Sequence, residues 1–487
     1  MKKVLVTVLA LVAATAAFGA GGSEAAAKPQ ALEKIVYMET SFHGEEATIA
    51  PFVEQFKKIT GITLEIQPVS SSGSDEIMIA RFMAGDFPDL ARPRVARLDA
   101  FVRQGFFVPL DDFIQGSPKM KKLKEANLQA FEAHTVDGKA YGVPTDMGQK
   151  GALWVRVDIM KSLGLSWPRT LDEFIANCRA IRDRYKGPEG IKTYPLVVRM
   201  DNTGYTQVIA NYFDVTLLPV IRHPGDAKFR EGWDTPQLKA YVDFIKMLYT
   251  EGFIDSEHAL PQKSDVVRAK FASGKGASFV YWYDRYASVY KDVTKNFPKA
   301  EVDLMPPVVN PKGGVMGMSL TAGTTPVCIT KGSKSPQFVW DQFIEKFFFD
   351  LDTRMLFSYG VPGIDYEVKD NTIVALKGQA IDPWDPYDPE QKLPFKLPAS
   401  AQKISDVQAA YNAGLAKNSY YAAMSEPSVS VAGFDQIRED MMDKKNQLLW
   451  KCVLGQITYE QLTSQFEAYK KEVGFADILA EINAKSR

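Results

Sequence analysis

Residues 49–90 read IAPFVEQFKKITGITLEIQPVSSSGSDEIMIARFMAGDFPDL, and their order decides the fold class. Ile49, Phe52, Val53, Phe56 and Ile59 recur at the spacing of one helical face. Gly61 stands where a helix ends in a left-handed residue. Ile62–Gln67 alternates apolar and polar with period two, which predicts a strand. Ile77–Ala84 predicts a second short helix, Gly85 stops it, and Pro88 fixes the chain before the next apolar segment. Helix, turn, strand, helix, turn describes an α/β unit with its caps in the right places.

Working outward, the start of the chain predicts export. Met1-Lys2-Lys3 is a cationic lead, Val4–Phe18 is almost continuously apolar, and Ala17-Phe18-Gly19-Ala20 offers small residues for cleavage. We expect residues 1–20 to be a signal peptide and residues 21–30 a flexible lead-in. The competing reading, an uncleaved anchor, meets an apolar core short of the ~20 residues a bilayer span needs. The three cysteines are Cys178, Cys328 and Cys452, so no lipid-attachment cysteine follows the leader. The expected location is therefore the periplasm, free of lipid.

Composition excludes several classes. The chain carries 58 Lys+Arg against 59 Asp+Glu, and loss of the leader removes only Lys2 and Lys3. That balance speaks against a nucleic-acid partner. Three cysteines cannot all pair, none lies in a C-x-x-C, and Cys178 falls on a predicted apolar helix face as a buried thiol. The four histidines, at 43, 134, 223 and 258, show no ligand spacing, so neither metal nor cofactor is expected. A length of 487 residues predicts two or three units at about 100–200 residues per domain.

A second signature spans residues 131–183. Thr135–Pro144 reads as a hairpin whose Asp137-Gly138 supplies the two positive-φ positions of a tight turn. Gly151–Asp158 predicts a strand. Thr170-x-x-Glu173 is a capping box ahead of Leu171, Phe174, Ile175 and Cys178 at helical spacing.

Taken together, "F-x-K-x-T-G-I", "M-A-G-D-F-P-D-L", "D-G-K-x-Y-G-x-P", "L-W-V-R-x-D" and "L-G-L-x-x-P-x-T-x-x-E-F" resemble, in order and spacing, the family 1 extracellular solute-binding proteins of ABC importers. The resemblance continues through Phe271–Ala277, the strand Thr325–Ile329 and Tyr359–Tyr366, where Pro362 replaces a frequent acidic residue. The tail from Gly455 to Asn483 resembles a subgroup that includes oligosaccharide-binding lipoproteins of Gram-positive bacteria. The resemblance implies an α/β, two-lobed clamp of the type II periplasmic-binding-protein kind, each lobe a mixed sheet flanked by helices. It also implies chain crossings near Pro144–Lys150, Met305–Val309 and Glu367–Asn371. Lobe 1 would then hold residues 31–146 and 308–368, and lobe 2 residues 147–307 and 369–487. The implied partners are a carbohydrate and the transmembrane subunits of an ABC permease, with the protein itself a monomer.

Sugars need aromatic faces for their C–H surfaces and planar polar groups for their hydroxyls. Tyr281–Tyr286 supplies both, with Trp282 or Tyr283 as the stacking ring and Asp284 beside them; the competing reading is a buried aromatic strand end. Thr40 follows the first predicted strand, Asp146 lies at the first crossing, and Asp201 and Asn202 follow the strand Tyr194–Val198. Each could bond to hydroxyls, or could instead be a cap or a turn. Arg92, Arg94 and Arg97 follow the Pro88-Asp89 segment, a loop that touches ligand in sugar-binding relatives, and Arg156 sits on the strand after the crossing. An arginine fork matches a carboxylate, which points to a uronate-containing oligosaccharide; pairing with the protein's own acids is the alternative. Trp340 fits a helical core stripe with Phe343 and Phe347, and Trp384 sits in a turn-rich corner.

Two other classes compete with this reading. A glycan-active enzyme needs flanking carboxylates or an equivalent base, and no recognisable catalytic motif is present, so we expect no enzyme. A binding protein of the same fold for a peptide, polyamine or iron is the stronger alternative.

Overall fold

The computed structural model describes residues 34–39, 46–69, 74–94, 98–145, 149–200, 203–255, 264–321, 325–377, 381–384, 387–388, 390–418, 420, 423–427, 429, 431 and 433–486. The expected leader and lead-in lie outside them. Ten strands build the two main sheets. In chain order they are β1 (Lys34–Glu39), β2 (Thr63–Pro68), β3 (Leu90–Ala91), β4 (Val143–Pro144), β5 (Gln149–Arg156), β6 (Ser278–Trp282), β7 (Val302–Leu304), β8 (Met318–Thr321), β9 (Pro326–Ile329) and β10 (Ala423–Met424).

Lobe 1 is the sheet β2-β1-β3-β9-β4. β1 runs parallel to β2 and β3, while β9 is antiparallel to β3 and β4. The opening stretch folds as its pattern dictates: α1 (Glu46–Thr60), β2, then α2 (Ser74–Met83). Gly61 ends α1 at φ +75°, its N–H donating to Lys57 O at 2.8 Å. Phe52, Phe56, Leu64 and Ile66 are buried in the lobe-1 core with Trp340 and Phe343. The expected hairpin forms from Thr135–Val136 and Lys139–Ala140, with Asp137 at φ 48° and Gly138 at φ 79°.

Lobe 2 is the sheet β6-β5-β8-β10, with β7 also paired to β5. β6, β7 and β8 run antiparallel to β5. Helices α3 (Leu171–Arg184), α4 (Leu238–Thr250) and α5 (Ala399–Lys417) bury residues in this lobe. So do the closing helices α6 (Phe434–Val453), α7 (Tyr459–Glu472) and α8 (Phe475–Lys485). Half of the expected capping box at α3 is present: Thr170 Oγ1 accepts from Glu173 N–H at 3.1 Å, while Glu173 Oε2 accepts from Arg169 N–H instead of Thr170. The Cys178 thiol is buried, and burial pushes its pKa up.

The lobe-2 core contains a charge. Lys445 on α6 has no exposed side-chain surface; it pairs with Glu231 and donates to Leu218 O at 2.8 Å. Burial lowers the ammonium's pKa and the Glu231 carboxylate opposes that shift.

Two of the expected crossings are corrected. Pro306-Pro307 interrupts the sheet without leaving the lobe. The chain turns through a short hairpin, Val308–Val309 with Val315–Met316, and returns as β8 beside β5. The passage to lobe 1 therefore comes after Thr321, and residues 308–321 belong to lobe 2. Glu367–Asn371 lies in another local hairpin, Tyr366–Lys369 with Thr372–Ala375, turned by left-handed Asp370 and Asn371. That hairpin packs through Tyr366 and Ile373 on Met355 and Tyr359, together with Leu393, Phe395 and Leu397. The described residues between 369 and 397 therefore stay with lobe 1, and the return to lobe 2 falls just before α5, whose Ile404 and Tyr411 join the lobe-2 core.

Candidate ligand cleft

Connectivity shows which edge of each sheet carries the crossings. The chain leaves lobe 1 after β4, at Thr145, and enters lobe 2 at the start of β5. It leaves lobe 2 after β8 and re-enters lobe 1 at Thr325, before β9. On the lobe-1 side this edge carries the carboxyl ends of β1 and β3, the position where open α/β sheets present their ligand-facing groups. On the lobe-2 side it carries the start of β5 and the end of β6, since Gly151 pairs with Trp282.

The lobe-1 edge is polar and already organised. Glu39 ends β1 and is 4% exposed. Its carboxylate accepts from Arg92 Nη1 at 2.8 and 3.0 Å and from the Tyr37 hydroxyl. Arg92 Nη2 donates to Thr145 Oγ1 at 2.7 Å. Burial pushes the Tyr37 phenol up, and the Glu39 charge adds to it. Burial works to lower the Arg92 pKa, but Tyr37 and Glu39 outweigh it, so the guanidinium stays charged.

The lobe-2 edge is aromatic. Trp282, the last residue of β6, is partly buried against the lobe-2 core. Tyr283 is 9% exposed, and its ring stacks on Tyr411 with centroids 5.0 Å apart. The Tyr411 hydroxyl donates to Gly151 O. Lys150 Nζ lies 5.1 Å from the Tyr283 ring centroid and 3.3 Å from its hydroxyl oxygen. Of the two rings expected to stack on a sugar, Tyr283 is thus covered and Trp282 retains exposed surface.

The arginines have partners of their own. Besides Arg92 with Glu39, Arg94 Nε donates to the buried Asp75 carboxylate at 2.5 Å. Arg156 is 3% exposed, grips Asp158 through Nε and Nη2 at 2.8 and 2.6 Å, and lies over the Phe297 ring at 4.5 Å. The fork expected to read a ligand carboxylate is filled by Asp158, in the first turn of the short helix Val157–Ser162 that follows β5, at the end remote from Gly151. Thr40, Asp146, Asp201 and Asn202 lie outside the described residues, as does Arg97. Asp284 sits in the one-turn 3-10 helix Tyr283–Arg285. Trp384 packs on Tyr359 at 6.0 Å between centroids, which fits the rigid corner.

Sequence reasoning missed Tyr37, Lys150, Tyr387 and Tyr411. Tyr387 stood in the same D-P-W-D-P-Y stretch as Trp384. Tyr411 shares a helical face with Ile404 and Leu415, so its burial was readable, although its contact with Tyr283 was not.

Comparison with known proteins places this architecture. The chain superposes on the alginate-binding protein AlgQ2, solved without calcium ion, with a TM-score of 0.65 at 17% identity over 93% of this chain and 98% of that one. Against the sugar-binding protein MalE from Xanthomonas citri the TM-score is 0.61, again at 17% identity, over 92% and 98% of the two chains. Both share the two-lobed α/β fold. Residues 40–347, more than half of the chain, match the family model of the bacterial extracellular solute-binding proteins, and the chain belongs to that family. Lipoprotein LipO of Bacillus subtilis (strain 168) is 23% identical over 347 residues, covering 67% of this chain and 66% of that protein, just under two thirds of its length.

Proposed function

We propose that this is the extracytoplasmic binding component of an ABC importer, which captures an oligosaccharide between its lobes and hands it to the membrane permease. The carrying observation is what the two crossing edges carry: Trp282, partly exposed, on the lobe-2 edge, and the polar Glu39–Arg92–Thr145 group on the lobe-1 edge. An aromatic face against planar polar groups suits the two surfaces of a sugar ring. The proteins it superposes on include one described as alginate-binding and one as sugar-binding, which supports the same class. The reading assigns capture and release to the site, with no chemistry. Export by the leader, absence of lipid and a monomeric state belong to the same proposal.

The charge of the sugar rests on different residues from those expected. With Arg92, Arg94 and Arg156 engaged by Glu39, Asp75 and Asp158, a preference for uronates would fall to Lys150, beside the aromatic platform. A thermal-shift screen of neutral oligosaccharides, uronate oligosaccharides, a short peptide and a polyamine tests both levels, because ligand binding to the native state raises the melting temperature. An oligosaccharide should give the largest shift. Arg156→Gln should lower the melting temperature of the free protein, in keeping with loss of a charged hydrogen-bonded pair worth about 1.5–3 kcal/mol, and leave the ranking of ligands unchanged. A shift with the peptide or polyamine alone would overturn the carbohydrate reading. Loss of a uronate preference in Arg156→Gln would return that arginine to the site.

A further inference from the structure

One arginine holds both ends of the hinge. Thr145 is the last described residue before the first crossing and Thr325 the first after the second. Arg92 Nη2 donates to Thr145 Oγ1 at 2.7 Å and reaches Thr325 O at 3.5 Å. The Thr145 hydroxyl in turn donates to Thr325 O at 2.9 Å. The third connection joins the same point. Tyr387, in the stretch that leads to α5, donates its hydroxyl to Thr145 O. Tyr387 is itself anchored, with Arg354 over its ring at 4.2 Å and Phe348 against it at 4.8 Å. On its other side Arg92 is tied to Glu39, at the tip of the central strand β1. The side chains of Arg92 and Glu39 are 16% and 5% exposed, so solvent competes little for these bonds.

We propose that Arg92 is a positioning residue: with Thr145, Thr325 and Tyr387 it forms a clasp that fixes the pivot of lobe closure and joins the ligand-facing tip of β1 to the hinge. The proposal rests on the reading of the protein as a closing clamp. A clamp whose crossings are pinned at one point in lobe 1 bends about that point. Loosening the pin leaves each lobe intact but widens the range of lobe orientations, and a ligand must then order more motion as it closes the lobes.

Thr145→Val and Tyr387→Phe test this without uncovering a charge, because Arg92 keeps Glu39 in both. Nitroxides at Lys58→Cys in lobe 1 and Lys239→Cys in lobe 2, both on side chains more than half exposed, report the inter-lobe distance by pulsed electron resonance. In the ligand-free protein the distribution should broaden in each variant, and most in the double variant. In Tyr387→Phe, whose hydroxyl is outside the polar group offered to the sugar, affinity should fall several-fold, by one common factor for every saccharide that binds the unaltered protein. A merely structural role would lower the melting temperature and leave the distribution as it was, and that result would overturn the proposal. Since the ligand-free measurement needs no solute, failure of the carbohydrate reading would leave this test standing.

Discussion

Trp282→Ala is expected to weaken saccharide binding by about 1–3 kcal/mol, up to the upper end of the range of about 1.5–3 kcal/mol for fully burying a large apolar side chain, which is roughly a 5- to 150-fold loss of affinity. The ring ends β6, and its partner across the ladder is Gly151. Gly151 puts no side chain directly across from it, and Trp282 keeps part of its surface exposed, where a sugar face can lie. Neighbouring Tyr283 cannot substitute, because its ring already lies on Tyr411. The fold should survive, since Phe279 and Tyr281 hold the strand through their own stack at 5.6 Å. Calorimetric titration of the unaltered protein and the variant with an oligosaccharide that raises the melting temperature measures the effect. A variant that loses folded protein while its remaining folded fraction binds normally would make Trp282 a core residue.

The largest stability effect is expected at Lys445. Removing one partner of a buried ion pair leaves an uncompensated charge, which costs about 3–5 kcal/mol. Lys445 is fully buried, Glu231 is 3% exposed, and the lysine also serves the Leu218 carbonyl. Lys445→Ala should therefore lower the urea-unfolding free energy by that amount. Lys445→Met combined with Glu231→Leu should recover much of the loss, because apolar residues of similar volume often replace a buried pair at little cost. The recovery should be incomplete, since Glu231 Oε2 also accepts the Trp233 N–H at 3.0 Å. A loss under about 1 kcal/mol in Lys445→Ala, the scale of an exposed pair, would mean that water reaches Glu231.

The same two regions show what the sequence could reveal. Periodicity and caps gave the first helix, its glycine stop, the strand after it and the Asp137-Gly138 hairpin, because each depends on residues within one turn of one another. Lys445 was legible too: four residues after Met441 and three before Leu448, both buried, it sits on the buried stripe of α6. Only its partner, Glu231, was out of reach. The crossings were harder. They were expected from the family resemblance alone, and nothing local at Pro306-Pro307 or Asp370-Asn371 tells a break that leaves a lobe from one that turns a hairpin within it. The arginines were ambiguous for a related reason. Arg156 and Asp158 are two residues apart, a pairing open to inspection, but Arg94 and Asp75 are 19 apart and Arg92 and Glu39 are 53 apart. Whether a guanidinium meets a ligand or its own protein is settled by strand order, which the sequence does not print.

The central claim is that two lobes close on a solute held between Trp282 and the Glu39–Arg92 edge. Small-angle X-ray scattering of the protein, alone and with a saturating oligosaccharide chosen by thermal shift, tests it most directly. The account predicts a smaller radius of gyration and a shortened maximum dimension in the complex, with the change absent when the same sugar is added to Trp282→Ala at a concentration that leaves that variant unsaturated. Superimposable profiles for the free and saturated protein would contradict it.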